Sequence, residues 1–220
     1  MRRITFLLVL FQFFSFAQKI DLPTEYIRNQ SIKSRFSTIQ YEGNPYLNEQ
    51  FVDAEVIVDG KDHFTKKLRY DAYSDVFELQ ENNNEITGLI KSANIAILMD
   101  NNLYELYKYL DDGVEKEGYF INLTKKKGLK LLKNERKKFI EAVKAESGYD
   151  KDKPAKFVYV KNYFLKKEGL AAVEMRLKKR SILKLLNDKE KLINSYIKKH
   201  KLKLKDEKEM IQLIDYYNTL

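Results

Sequence analysis

Residues 51–79 read FVDAEVIVDGKDHFTKKLRYDAYSDVFEL. Val52, Ala54, Val56 and Val58 alternate there with Asp53, Glu55 and Asp59, the two-residue period that sends successive side chains to opposite faces of a strand. Asp59-Gly60 follows, a pair favoured in tight hairpin loops because both positions need φ > 0. On the return, Phe64, Leu68 and Tyr70 alternate with Thr65, Lys67, Arg69 and Asp71, and a Ser74-Asp75 turn leads into Phe77 and Leu79. The stretch predicts three short antiparallel strands joined by two tight turns. Its alternation puts Thr65, Arg69 and Asp71 on the face opposite Phe64, Leu68 and Tyr70, where solvated charge is expected.

C-terminal to this nucleus, Ile86, Leu89 and Ile90 follow a polar turn, and 95–99 is an apolar run suited to a buried strand. Residues 103–110, LYELYKYL, fit a helical face through Leu103, Leu106, Tyr107 and Leu110, or a strand. Turn residues on both sides, Asn101-Asn102 and Asp111-Asp112-Gly113, favour the strand. Residues 125–146 have the same ambiguity: Leu132, Arg136, Phe139, Ile140 and Val143 suit a helix, while Gly128 sits where a hairpin from 119–123 would turn back. A strand followed by a charged loop is the favoured reading, with 103–110 and 129–144 open between strand and helix. The polar stretch 147–156, SGYDKDKPAK, is the best candidate for a boundary. Another strand through Phe157, Tyr159 and 163–165 and a turn at 166–169 lead to a return over 170–177.

The end reads as helical. Ile182, Leu183, Leu185 and Leu186 make a short helix. Asp188 is placed to cap a second, with a stripe of Leu192, Ile193, Tyr196 and Ile197, and Asp206 a third, with Met210, Leu213, Ile214 and Tyr217. The expected fold class is α+β: an antiparallel β-meander or curved sheet followed by a short C-terminal helical tail. The boundaries are an entry segment over 18–36, a β-rich domain over 37–177 and the helical tail over 178–220.

Arg2 and Arg3 precede an apolar run over 4–14, and Ser15-Phe16-Ala17 offers small residues at −3 and −1. This layout predicts a secretory signal peptide over 1–17, cut before Gln18. The run is short for a bilayer core of roughly 30 Å, and with no cysteine after the cut no lipid anchor is expected there. Export to a periplasmic or extracellular location follows as the expectation, with no transmembrane segment after cleavage. The chain has no cysteine at all, which removes disulfides, thiolate metal sites and cysteine nucleophiles together.

Charge is segregated. Residues 18–124 hold 11 Lys and Arg against 19 Asp and Glu, a net of −8, whereas 125–205 hold 27 against 9, a net of +18. An acidic partner would meet the second region.

Several short motifs carry a resemblance: Phe16-Ala17-Gln18, Leu68-Arg69-Tyr70-Asp71, Gly118-Tyr119-Phe120, Tyr163-Phe164-Leu165 and Asp215-Tyr216-Tyr217-Asn218. Together they resemble a group of uncharacterised exported β-rich proteins from Bacteroidota. Asp71 departs from that pattern, in which Asn is commoner. The resemblance implies a fold type and a location; it supplies no catalytic residue.

The chemical inventory is thin. His63 and His200 are the two histidines. There is no nucleophile elbow, metalloprotease helix motif, phosphate loop or dinucleotide fingerprint, and all eight glycines suit turns. No catalytic residue, metal ligand or cofactor is assigned. Asp71 and Asp75 at one turn, and Asp111, Asp112, Glu115 and Glu117 at another, leave open a carboxylate hydrolase acting on an envelope polysaccharide; their simpler reading is solvated turn charge. A structural module of an envelope assembly is a third reading. The leading expectation is a non-enzymatic envelope protein that binds an acidic partner through Lys161, Lys166, Lys167, Lys178, Lys179, Arg180, Lys198 and Lys199. Anionic lipid, acidic polysaccharide or an acidic protein face are the expected counterparts, and export argues against nucleic acid.

Overall fold

The computed structural model describes residues 21–28, 40–81, 83–124, 126–145 and 151–220. The expected signal peptide over 1–17 and most of the entry segment lie outside the described residues. In chain order the strands are β1 (Ile27–Arg28), β2 (Tyr41–Glu42), β3 (Val52–Val58), β4 (Asp62–Asp71), β5 (Val76–Gln80) and β6 (Ile86–Leu89). They continue with β7 (Ile95–Met99), β8 (Asn102–Asp111), β9 (Val114–Asn122), β10 (Lys130–Ile140), β11 (Ala155–Lys166) and β12 (Val173–Met175). Three helices follow: α1 (Lys179–Leu185), α2 (Glu190–His200) and α3 (Glu207–Tyr217).

The strands expected over 51–79 are β3, β4 and β5. Asp59 and Gly60 have φ of 52° and 66°, and the Lys61 N–H donates to the Val58 carbonyl at 3.0 Å. Residues 103–110 and the greater part of 129–144 are strands. Left-handed backbone at Asp100, Asn101, Asp112 and Gly113 brackets β8 with reversals that no α-helix continues through.

All twelve strands join one open sheet in the order β1-β6-β5-β4-β3-β7-β8-β9-β10-β11-β12, with β2 parallel to the start of β11. From β3 to β12 the meander is broken once: after β6 the chain crosses to the far side of β3, where β7 pairs. The sheet curves strongly. The Lys137 N–H on β10 donates to the Ala72 carbonyl just after β4 at 3.1 Å. Leu110 and Ala172 also bond across, so the end of β8 meets the approach to β12.

This curvature creates three cores separated by shared walls. The first gathers Val56, Leu68, Tyr70, Phe77, Leu79, Ile97, Tyr104, Tyr119 and Ile121. The second, on the other face of β8 and β9, holds Phe120, Leu132, Phe164 and Ala172 under Tyr107 and Tyr109. In the third, Leu131, Leu165 and Met175 meet Ile182, Ile193, Ile197, Met210, Leu213 and Ile214 of the helices. Consecutive residues on one strand therefore serve different cores, as Tyr119 and Phe120 do, because strand side chains alternate.

Within the expected entry segment, Leu22 is buried in the first core and β1 pairs with β6. Three expectations need correction. The stretch 147–156, of which 151–156 are described, is not a boundary, because β10 and β11 pair continuously from Lys130↔Lys166 to Ile140↔Lys156. A polar hairpin loop and a linker have the same composition. Asp188 does not cap α2, whose N-cap is Lys189; its carboxylate accepts from the Tyr217 hydroxyl at 2.7 Å. Asp206 does cap α3, accepting from the Glu209 N–H at 2.9 Å. Finally, the second face of β4 is covered at its end: Thr65 and Lys67 are exposed as expected, whereas Arg69 is half-buried and Asp71 buried. Arg69 lies between the rings of Tyr46 and Phe51, 3.7 and 4.4 Å from their centroids, and pairs with buried Glu78.

Candidate functional site

Two polar constellations stand out, one closed and one open. The closed one centres on Asp75, whose backbone is left-handed at φ 58°. Its Oδ1 accepts from the Tyr70 hydroxyl at 2.7 Å and from the Tyr119 N–H at 3.3 Å. Its Oδ2 accepts from Lys91 Nζ at 2.5 Å. Arg136, reaching in from β10, forms an ion pair with Asp75 and donates to the Tyr70 hydroxyl. Burial pushes the Tyr70 hydroxyl well above its ordinary pKa; Arg136 opposes this and Asp75 adds to it. Burial alone would weaken the Arg136 charge, but Tyr70 and Asp75 hold its pKa above the ordinary value.

Gly118 makes room for this cluster. A Cβ there would stand 2.7 Å from Arg136 Nη2 and 3.1 Å from Asp75 Oδ2. Gly118 lies inside β9, and Gly88 inside β6, so these two glycines are not the turn residues that the sequence suggested. Short runs from three strands meet here: Tyr70 from β4, Gly118 and Tyr119 from β9, and Arg136 from β10.

The carboxylates considered for hydrolysis are otherwise engaged. Asp71 is buried, and its Oδ1 accepts from the Tyr73 and Ser74 N–H groups at 2.9 Å each, closing the turn. Asp75 is inside the ionic cluster. These two are therefore not solvated turn charges, because the curved sheet closes over them. Asp111 and Glu115 do occupy an exposed hairpin, paired with Lys116 at 2.7 Å and Lys108 at 3.0 Å. His63 is exposed beside Glu55 at 3.1 Å, and His200 packs against the Tyr196 ring with centroids 4.2 Å apart. Among the described residues, no three His, Cys, Asp or Glu side chains are grouped to hold a metal ion.

The basic residues expected to bind fall on three parts of the molecule. Lys161, on β11, faces Glu207 at 3.5 Å. Lys166 ends β11 and Lys167 begins the following turn. Lys178, Lys179 and Arg180 are exposed at the start of α1, and Lys198 and Lys199 at the end of α2. Of these, Lys166 lines a concavity of about 410 Å³ with Tyr107, Lys127, Gly128, Lys130, Glu168 and Gly169. Lys127 and Lys130 lie outside the set expected from sequence. They flank the turn glycine Gly128, and the antiparallel pairing of Lys130 with Lys166 sets that turn beside the one at 166–169.

The cleft has fixed cations. Lys130 Nζ donates to the Tyr107 hydroxyl at 2.9 Å, and that hydroxyl donates to Glu105 at 2.7 Å. Lys166 Nζ donates to the Lys167 carbonyl at 3.0 Å. Among the described residues neither ammonium forms an ion pair. Burial, and then the bond to Glu105, push the Tyr107 hydroxyl above its ordinary pKa, so it remains protonated at neutral pH.

Among the described residues, no helix is long and apolar enough to cross a membrane. Comparison with protein-family models, curated proteins and solved structures gives no match.

Proposed function

We propose that this chain is an exported, non-enzymatic cell-envelope protein that binds an acidic partner or surface through its basic C-terminal half. The observation that carries the reading is the charge segregation, a net of −8 over 18–124 against +18 over 125–205. Exposure of Lys178, Lys179, Arg180, Lys198 and Lys199 supports it, as does a lysine-lined cleft in the same half. Binding through exposed ammonium groups is screened by salt over about 8 Å at physiological ionic strength. Its affinity must therefore fall as salt rises.

The test is retention of the purified chain over 18–220 on immobilised polygalacturonate and on phosphatidylglycerol vesicles, from low to high salt. Retention on at least one of them that disappears between about 50 mM and 500 mM salt is the expected outcome. No retention on either, or retention independent of salt, overturns the proposal.

A further inference from the structure

We propose that the cleft formed by the β9–β10 and β11–β12 turns is a binding site for a carboxylate-bearing sugar unit of an acidic glycan. The inference rests on the reading of the basic half as a binding region and names the site and ligand within it. Three cations, Lys127, Lys130 and Lys166, and one anion, Glu168, line this concavity of about 410 Å³, a size within the range of small-molecule sites, roughly 300–1,000 Å³.

An ammonium group has three N–H donors. Lys130 gives one to Tyr107 and Lys166 gives one to the Lys167 carbonyl. Each bond fixes the side chain without neutralising it, and the remaining donors are available to an anionic oxygen. A cation already held in place loses less conformational freedom on binding than a mobile surface lysine.

Glu168 decides between ligand classes. A carboxylate accepts hydrogen bonds and repels anions, so it opposes a free phosphate or a flat anionic bilayer pressed onto the cleft. It suits a ligand that carries neutral hydroxyl donors beside its own negative group. A uronate-type sugar combines the two: its carboxylate faces Lys130 and Lys166, and its ring hydroxyls donate to Glu168. Concave form supports the same choice, since a projecting sugar unit enters a cleft that a planar headgroup array does not fill.

The test is isothermal titration of the chain over 18–220 with oligogalacturonate, neutral maltotriose and inorganic phosphate, with phosphatidylglycerol vesicles as a fourth probe. The variants are Lys130→Met with Lys166→Met, Lys166→Met alone, Glu168→Gln, and a charge-matched control of Lys184→Met with Lys191→Met on exposed helix faces. Lys166→Met alone covers the case in which loss of the Lys130–Tyr107 bond prevents folding, which near-UV circular dichroism reads. Oligogalacturonate binds the wild type and neither maltotriose nor phosphate competes. The double cleft variant loses tenfold or more, Lys166→Met at least threefold and Glu168→Gln at least twofold, while the control stays within twofold. Equal losses in the double cleft variant and the control overturn the cleft but leave the basic-half reading intact. Phosphate or vesicles bound more tightly than oligogalacturonate, with loss in the cleft variants, overturn the glycan assignment. Absence of binding to every anionic probe overturns both readings.

Discussion

Arg136 shows how one residue ties distant parts of the chain together. Its partners Tyr70 and Asp75 precede it by 66 and 61 positions, and the contact joins the β4–β5 turn to β10. Removing one member of a buried ion pair and leaving the other uncompensated costs about 3–5 kcal/mol. Asp75 keeps Lys91 as a second cation, so Arg136→Met is expected to lower unfolding stability by less, about 1–3 kcal/mol, in a denaturant titration. Adding Asp75→Asn to it should cost less than the sum of the two single changes, read from a double-mutant cycle. Gly118→Ala acts on the same cluster by crowding: its methyl would lie 2.7 Å from Arg136 Nη2, so a loss of about 1–3 kcal/mol is expected.

Glu78 gives a residue-scale prediction with a defined sign. Burial raises its pKa above 4.5, although the Arg69 partner pulls the other way. Just above pH 4.5 the folded protein thus keeps a proton that the unfolded chain releases, and stability contributed by that proton declines as pH rises through the raised value. Wild type measured against Glu78→Gln is expected to lose stability steadily over that window. A difference between the two that does not change with pH contradicts the assignment.

At the scale of elements, the last helix is fixed at both ends by side chains that replace backbone partners. At its start Asp206 caps Glu209, and the Glu209 carboxylate accepts from the Lys203 and Leu204 N–H groups at 2.9 and 2.6 Å. At its end Asn218 meets the Leu129 backbone twice: its Oδ1 accepts from the N–H and its Nδ2 donates to the carbonyl, both at 2.9 Å. That clip secures the helical tail to the start of β10, beside the lysine cleft. Asn218→Ala is expected to destabilise by about 1–3 kcal/mol through the two lost bonds. Asn218→Asp keeps the acceptor but sets a carboxylate against the Leu129 carbonyl; thermal unfolding should place it no higher than the alanine variant at neutral pH.

At the scale of the whole molecule, the three cores depend on one another because β8 to β11 serve as walls between them. The helical tail covers Leu131, Leu165 and Met175 on the sheet, so it completes a core. A chain ending at Leu177 is expected to bind a hydrophobic dye and to unfold without the cooperative transition of the full chain. Retention of a sharp transition would show that the sheet is stable without its helices.

The sequence by itself determined the strands and turns over 52–79, and left 103–110 and 129–144 open between strand and helix. Local alternation at 52–58 and 64–70, left-handed Asp59-Gly60 and the Asp206 cap are short-range effects, fully encoded within a few residues. It also supplied the α+β class and the charge segregation, since composition does not depend on folding. Only the tertiary structure decided where the faces of those strands went. Period-two alternation names two faces but does not say which is covered, so Arg69, Asp71 and Asp75 read as solvated, whereas tertiary contacts bury Asp71 and half-bury Arg69 and Asp75 in ion pairs. Lys130 and Lys166 meet for another reason: they are direct cross-strand partners in the β10–β11 ladder. No local pattern records that approach, because it is set by the pairing register of β10 and β11, whose ends lie far apart in the chain.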